Sequence, residues 1–177
     1  PSDLRPRETA ASSGDRPETQ TALFRNRPLW GCWLITVGAC FGMGMFTSFM
    51  PLHAEGQGLD VGQIGIVFSA QGLCNGASRI PFGRLSDRVK RRSTLVVFGI
   101  ALYGIALLGC GAAASPGVFV LSASLLGIGL GLAFTSIGAL IVEVVPAKSR
   151  GSAIGGYNTC IYLGMIPELP IAMLACA

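Results

Sequence analysis

The residues in this 177-residue chain best placed to do chemistry are polar side chains set among apolar neighbours. Gln71, Asn75 and Ser78 follow one another at steps of four and three, which puts them on one helical face with Arg79 beside it. An unpaired amide in hydrocarbon costs several kcal/mol, so these groups must meet either a partner helix or water. An arginine inside a membrane costs about 2.5–3.5 kcal/mol on insertion scales and marks a functional site by default. Arg79 also lies about 6 Å from the nearer interface, close enough for its long side chain to snorkel out. Both roles stay open. Tyr157, Asn158 and Thr159 form a second polar group, and Thr36, Thr47 and Ser48 a third. Gln71, Asn75, Arg79 and Asn158 are the candidates for a solute pathway.

Other chemistries find little support. There is no HExxH, no GxSxG and no phosphate-cradling Walker loop, so neither an enzyme nor an ATP-driven pump is expected. The single histidine, His53, beside Pro51, is expected to be an ordinary loop residue, with proton coupling as the alternative. No metal-ligand cluster and no cofactor are expected. Six cysteines suggest a disulfide framework until they are placed: they fall on or beside apolar segments with no CxxC pair, and read as small buried residues.

The elements that must position these residues are legible from charge. Four stretches carry no charged residue between about Leu29 and Pro167, and the longest runs from Ser93 to Val142. A crossing helix needs about 20 apolar residues. Ser93–Val142 would reach about 75 Å as one helix, so it must cross twice, and Ala114-Ser115-Pro116-Gly117 is its strong turn signal. Five spans result, near 29–50, 61–82, 93–113, 117–142 and 152–175.

Threaded alternately, these spans gather every Lys and Arg at one face. The N-terminal arm carries five arginines, the 83–92 loop carries Arg84, Arg88, Lys90, Arg91 and Arg92, and the 143–151 loop carries Lys148 and Arg150. The loops at 51–60 and 114–116 contain none. Basic residues in short loops stay cytoplasmic, which predicts a multi-pass protein of the cell (inner or plasma) membrane with its N-terminus inside. The mean hydropathy of +0.59 and a charged fraction of 12% agree. The net charge of +4 sits at a membrane face rather than on a stripe interleaved with aromatics, so nucleic acid is not an expected partner.

Residues 1–28 are polar, lack helical periodicity, and read as a disordered cytoplasmic linker or tail; 29–177 read as a partial helical bundle. Gly62, Gly65, Ser69, Gly72, Gly76, Arg79 and Gly83 form a small-residue stripe, expected to face protein rather than lipid. Ser124, Gly127, Gly131, Thr135 and Gly138 form another.

The string Gly83-Arg84-Leu85-Ser86-Asp87-Arg88-Val89-Lys90-Arg91-Arg92 between two spans resembles the loop motif of the major facilitator superfamily, the secondary transporters of two six-helix halves. Lys90 stands where the family usually has Gly. Glu143, Pro146, Arg150 and Gly151 are similar to a second family run, and the resemblance covers most of residues 24–165. It implies an all-α polytopic bundle: five transmembrane helices of one six-helix half. Ala123 stands where the first half commonly has Arg, and Gly164-Met165-Ile166-Pro167 is a poor match to that half's Gly-Pro motif. Together with the polar lead, this points to the C-terminal half, helices 7–11, with departures from the family after about Pro167.

The resemblance implies secondary active transport of a small solute by alternating access, here by a partial transporter. Gly83, Asp87, Arg88, Arg91, Arg92, Glu143 and Arg150 would be conformational-latch residues, Arg88 or Arg91 pairing with Glu143. Arg79 resembles the arginine with which monocarboxylate-type members meet an organic anion. The implied partners are a small molecule, such as an organic anion, the lipid bilayer, and the missing half or a second copy. The alternative is a half-length membrane protein acting as a dimer or interaction subunit without transport of its own. On the topology, cysteines introduced at 56–58 should react with a membrane-impermeant maleimide from outside, and those at 89–90 only from inside. Labelling of both turns from the same side would rule out the five-span arrangement.

Overall fold

The computed structural model describes residues 26–88 and 92–166, with the backbone alone over 86–88. Its elements are α1 (Arg27–Gly56), α2 (Val61–Arg88), α3 (Arg92–Gly111), α4 (Pro116–Val144), a single 3₁₀ turn (Ala147–Ser149) and α5 (Arg150–Met165). There is no strand among the described residues. Helices α1, α3 and α4 are each long and apolar enough to cross a membrane. At 28 residues α2 is about 42 Å long, which suffices as well; its glycines, amides and arginine make it less apolar. Most of the polar lead, and everything after residue 166, lie outside the described residues.

Two helices outrun their expected ends. The first was expected to stop near residue 50, but α1 continues through Pro51 to Gly56, so His53 is helical and not a loop residue. Proline removes one intrahelical hydrogen bond and crowds the preceding turn, but a membrane helix tolerates this when neighbouring groups take up the freed carbonyl. Gly58, at φ +83°, then makes the left-handed turn that a side chain would resist. Asp60 and Gln63 close the start of α2 reciprocally: the Gln63 amide donates to Asp60 Oδ1 at 2.7 Å, and the Asp60 amide to Gln63 Oε1 at 3.1 Å. At its other end α2 runs through Pro81 to Arg88, so Gly83–Arg88 are helical where a loop was expected. Nothing in Gly83-Arg84-Leu85-Ser86-Asp87-Arg88 terminates a helix; the positive charges had suggested a loop.

Helix α4 is the centre of the bundle, packed against α2 on one side and α3 on the other; α5 packs mainly on α1. Small residues set these approaches. A side-chain carbon on Gly99 would meet the Ala133 nitrogen at 2.8 Å, and one on Gly129 the Tyr103 nitrogen at 2.7 Å. The α3 and α4 backbones therefore touch. Gly127 and Gly131 of the second small stripe play the same part toward α2, lying on the backbone of Gln71 and Asn75. Gly156 sits under the Trp33 ring and Gly164 against Cys40, which seats α5 on α1. The buried Tyr103 hydroxyl donates to the Ala39 carbonyl at 2.9 Å, tying α3 to α1. Two apolar clusters fill the remaining space, one around Phe119, Leu126 and Val67, the other around Leu29, Ile137 and Ile141.

The other stripe behaves differently. Gly65, Gly72 and Gly76 have nothing within 4 Å of an added carbon, and Ser69 and Arg79 are exposed. Of the face expected to meet protein, the 65–76 part therefore meets none among the described residues, while Gly83 approaches Thr135 of α4. Helix α2 packs through Ile64, Val67, Gln71 and Ser78 instead.

Two glycines of α3 separate packing from propensity. Gly99→Ala should destabilise the bundle by about 1–3 kcal/mol, because the α4 backbone cannot yield. Gly104, with nothing within 4 Å, should accept Ala with no loss. Melting temperatures of the two variants in detergent should split in that order, and equal effects would refute close packing at the α3–α4 crossing.

Candidate functional site

Two polar regions emerge, one partway along α2 and one at the end of the bundle where the basic residues gather. In the first, Arg79 Nε donates to Asn75 Oδ1 at 3.1 Å. Asn75 is one turn nearer the middle of the bundle, so the guanidinium folds back along α2 rather than extending toward the basic end. Its two Nη groups have no partner among the described residues, and the side chain is exposed. Arg79 is also close enough to Tyr157 of α5 for the two to interact electrostatically. The Tyr157 ring is held edge-on to Phe134 of α4, with centroids 6.4 Å apart. The Tyr157 ring, packed edge-on to Phe134, thus lies within electrostatic range of an exposed cation on α2.

The other pathway candidates divide. Asn75 belongs to this site as the acceptor that aims Arg79. Gln71 turns away: it is 6% exposed, and its amide approaches Met43 Sδ of α1 at 3.9 Å, a weak contact between helices. Ser78 bonds within its own helix, to the Asn75 carbonyl at 2.9 Å, beneath Gly131. These two side chains serve helix packing. Asn158 is exposed but follows Tyr157 by one residue, so it lies about 100° further round α5. Tyr157 and Phe134 were not among the candidates. Tyr157 had been noted as a polar residue, but spacing within one helix says nothing of what faces it across the bundle.

At the charged end, Arg92 opens α3 and Glu143 closes α4. Arg92 Nε lies 3.6 Å from Glu143 Oε2, and its Nη1 donates to the Ala139 carbonyl at 3.2 Å. A cation near the last turn of a helix is favoured by the carbonyls exposed there. Asn26 adds a weaker bond, Nδ2 to the Val144 carbonyl at 3.4 Å. The expected partners of Glu143, Arg88 and Arg91, have side chains outside the described residues; among the described residues Glu143 pairs with Arg92, the first helical residue of α3, alongside the end of α4. The side chains of Asp87, Arg88 and Arg91 lie outside the described residues, Gly83 approaches Thr135, and Arg150 is exposed. At the opposite end His53 Nε2 lies 3.2 Å from the Ala113 carbonyl, joining α1 to the α3–α4 turn.

The sequence profile of the Major Facilitator Superfamily matches residues 32–172. An inner membrane transport protein of Escherichia coli is 36% identical over 126 residues, covering 70% of this chain and 25% of that one. A probable sulfoacetate transporter of Cupriavidus necator is 31% identical over 127 residues, covering 72% and 29%. A probable 4-methylmuconolactone transporter of Cupriavidus pinatubonensis is 26% identical over 155 residues, covering 86% and 36%. The chain spans about a third, or less, of the length of such relatives.

Glu143 is 58% exposed, so its pair with Arg92 sits in high dielectric and is worth about 1 kcal/mol at most. In a double-mutant cycle Glu143→Gln and Arg92→Gln should couple by about 0.5 kcal/mol in low salt and negligibly in 1 M salt. Arg92→Gln alone should cost more than Glu143→Gln, because it also loses the Ala139 bond. Equal single costs would show that this second bond carries no weight.

Proposed function

Because this chain belongs to the major facilitator superfamily, we propose that it forms helices 7–11 of a secondary transporter that moves a small organic anion by alternating access. The observation that carries the anion reading is the fold-back of Arg79 onto Asn75. A snorkelling arginine would reach for the interface. This one spends its Nε proton on an amide nearer the midplane and leaves both Nη groups presented together, the edge that grips a carboxylate or sulfonate through parallel hydrogen bonds. The named substrates of two relatives, sulfoacetate and 4-methylmuconolactone, supply precedents in small organic acids and their lactones. Tyr157 and Phe134 would bound the apolar part of such a solute.

Two further parts follow. The open Gly65–Gly72–Gly76 face of α2 is the surface we assign to the remainder of the transporter, or to a second copy, since small residues let another helix approach closely. The basic end lies in the cytoplasm, with Asp87, Arg88, Arg91, Arg92, Glu143 and Arg150 forming contacts that exist in one conformation and break in the other. Pairs worth about 1 kcal/mol suit that role: they bias a nearly balanced equilibrium without locking it. The runner-up, a half-length interaction subunit, would use the same open face without any need for Arg79.

The decisive assay is uptake of small organic acids into proteoliposomes containing the complete transporter, with and without a proton gradient. Arg79→Lys should lower uptake about tenfold or more, as two parallel bonds give way to a point charge. Full activity of the Lys variant would retire the anion contact. Asp87→Asn should slow uptake while leaving affinity in a conformationally locked form unchanged; wild-type rates would reduce the motif to a basic anchor.

A further inference from the structure

The ends of α1 and α3 away from the basic loops line a half-open pocket of about 190 Å³ that the organic-anion reading leaves unused. Most of its wall is apolar, from Phe46, Phe49 and Leu107, yet four of its lining residues carry soft or borderline donor atoms. Met45, Met50 and His53 come from α1 and Cys110 from α3. No cluster of three His, Cys, Asp or Glu residues exists among the described residues. The four stand out only when thioethers are counted as ligands.

The histidine geometry gives this set a direction. A backbone carbonyl can only accept, so His53 Nε2, 3.2 Å from the Ala113 oxygen, must carry the proton. In the neutral ring Nδ1 then holds the free lone pair. A ring nitrogen that donates to a backbone carbonyl while its twin stays unprotonated is the arrangement found behind metal-ligating histidines. The ring is further fixed by Phe119, with centroids 5.5 Å apart. Met50 and Cys110 are both about 95% buried.

We propose that Met50, His53 and Cys110, with Met45 in the same cavity as a fourth donor, form a binding site for a soft monovalent metal ion, Cu(I) or Ag(I). Thioether and thiolate ligands select Cu(I), whereas hard divalent cations require oxygen donors that this cavity lacks. The low-polarity wall suits an ion of single charge once the Cys110 thiol has given its proton to water, because the thiolate and the metal then neutralise each other. No electron transfer is involved: the metal enters and stays in its monovalent state. The site is spatially separate from Arg79, so it adds to the transport reading and does not depend on it.

The test uses the complete transporter in detergent under anaerobic conditions, with Cys32, Cys40, Cys74, Cys160 and Cys176 replaced by Ala to silence other thiols. Titration with Cu(I) against bathocuproine disulfonate should leave one ion bound per chain, and X-ray absorption should show both sulfur and nitrogen scatterers. Met50→Leu conserves volume and should weaken retention at least tenfold while melting temperature and organic-acid uptake hold. Cys110→Ala should do the same. Zinc(II) should not compete at equal concentration. Failure to retain Cu(I), equal retention by the Met50→Leu variant, a sulfur-only spectrum, or preference for zinc would each overturn the site. None of those results would touch the organic-anion reading, which stands on Arg79→Lys uptake.

Discussion

Everything in this bundle depends on how closely other backbones can approach α4. Lipid is as apolar as leucine, so burying apolar side chains gives membrane helices little reason to associate. What remains is dispersion at short range, interhelical hydrogen bonds, and the exclusion of poorly packed alternatives. Gly127 and Gly131 remove the side chains that would hold α2 away, while Gly99 and Gly129 do so between α3 and α4. With those gaps closed, Phe119, Leu126 and Ile137 become fully buried and the Tyr103 hydroxyl reaches the Ala39 carbonyl. The aromatic and hydroxyl contacts are consequences of the close crossing rather than its cause.

The same crossing assigns roles to polar groups that a sequence presents as equivalent. Gln71, Asn75, Ser78 and Arg79 occupy adjoining positions on α2. Rotation of the helix against α4 turns Gln71 toward Met43, places Ser78 beneath Gly131, and leaves Arg79 on the open side. Asn75 falls at the boundary. Its backbone takes part in the α4 contact while its amide oxygen receives the Arg79 proton. A small change in packing at Gly127 or Gly131 would therefore shift the guanidinium, although neither glycine touches it.

How much of this was legible in the sequence follows from what each signal measures. Charge-free stretches and the placement of Lys and Arg report the membrane directly, and the helices they implied correspond to α1 to α5, with ends shifted by at most six residues and the expected end of the last span lying outside the described residues. The larger shifts have local causes: a proline such as Pro51 reads as a stop by propensity, yet a membrane helix carries it, and the charges of 84–88 read as a loop although nothing there ends a helix. Small-residue stripes proved ambiguous, because periodicity shows that a face is smooth but not which neighbour uses it. The α4 stripe is occupied at Gly127 and Gly131, whereas that of α2 is open. Cross-bundle partners were beyond the sequence altogether. Tyr157 with Phe134, His53 with Ala113 and Arg92 with Glu143 join residues 23, 60 and 51 positions apart, and no single-helix pattern encodes such pairs.

The distribution of close contacts also limits where motion can occur. Helices α2 and α3 each meet α4 backbone to backbone, so sliding either of them would drive backbone groups into contact. Helix α5 is seated on α1 through Gly156 and Gly164, and α1 is joined to α3 by the Tyr103 bond and to the α3–α4 turn by His53. Direct contact between α1 and α2 is slight, as is that between α4 and α5. The closest packing is thus within the α2–α3–α4 group and within the α1–α5 pair, with α1 also held to the first group by the Tyr103 and His53 bonds. Arg79 belongs to the first, and Tyr157, within its electrostatic range, belongs to the second. A solute held between them would sense any adjustment of one group against the other. That coupling requires only that α1 and α5 move together, and the Trp33 ring packed on Gly156 makes them do so.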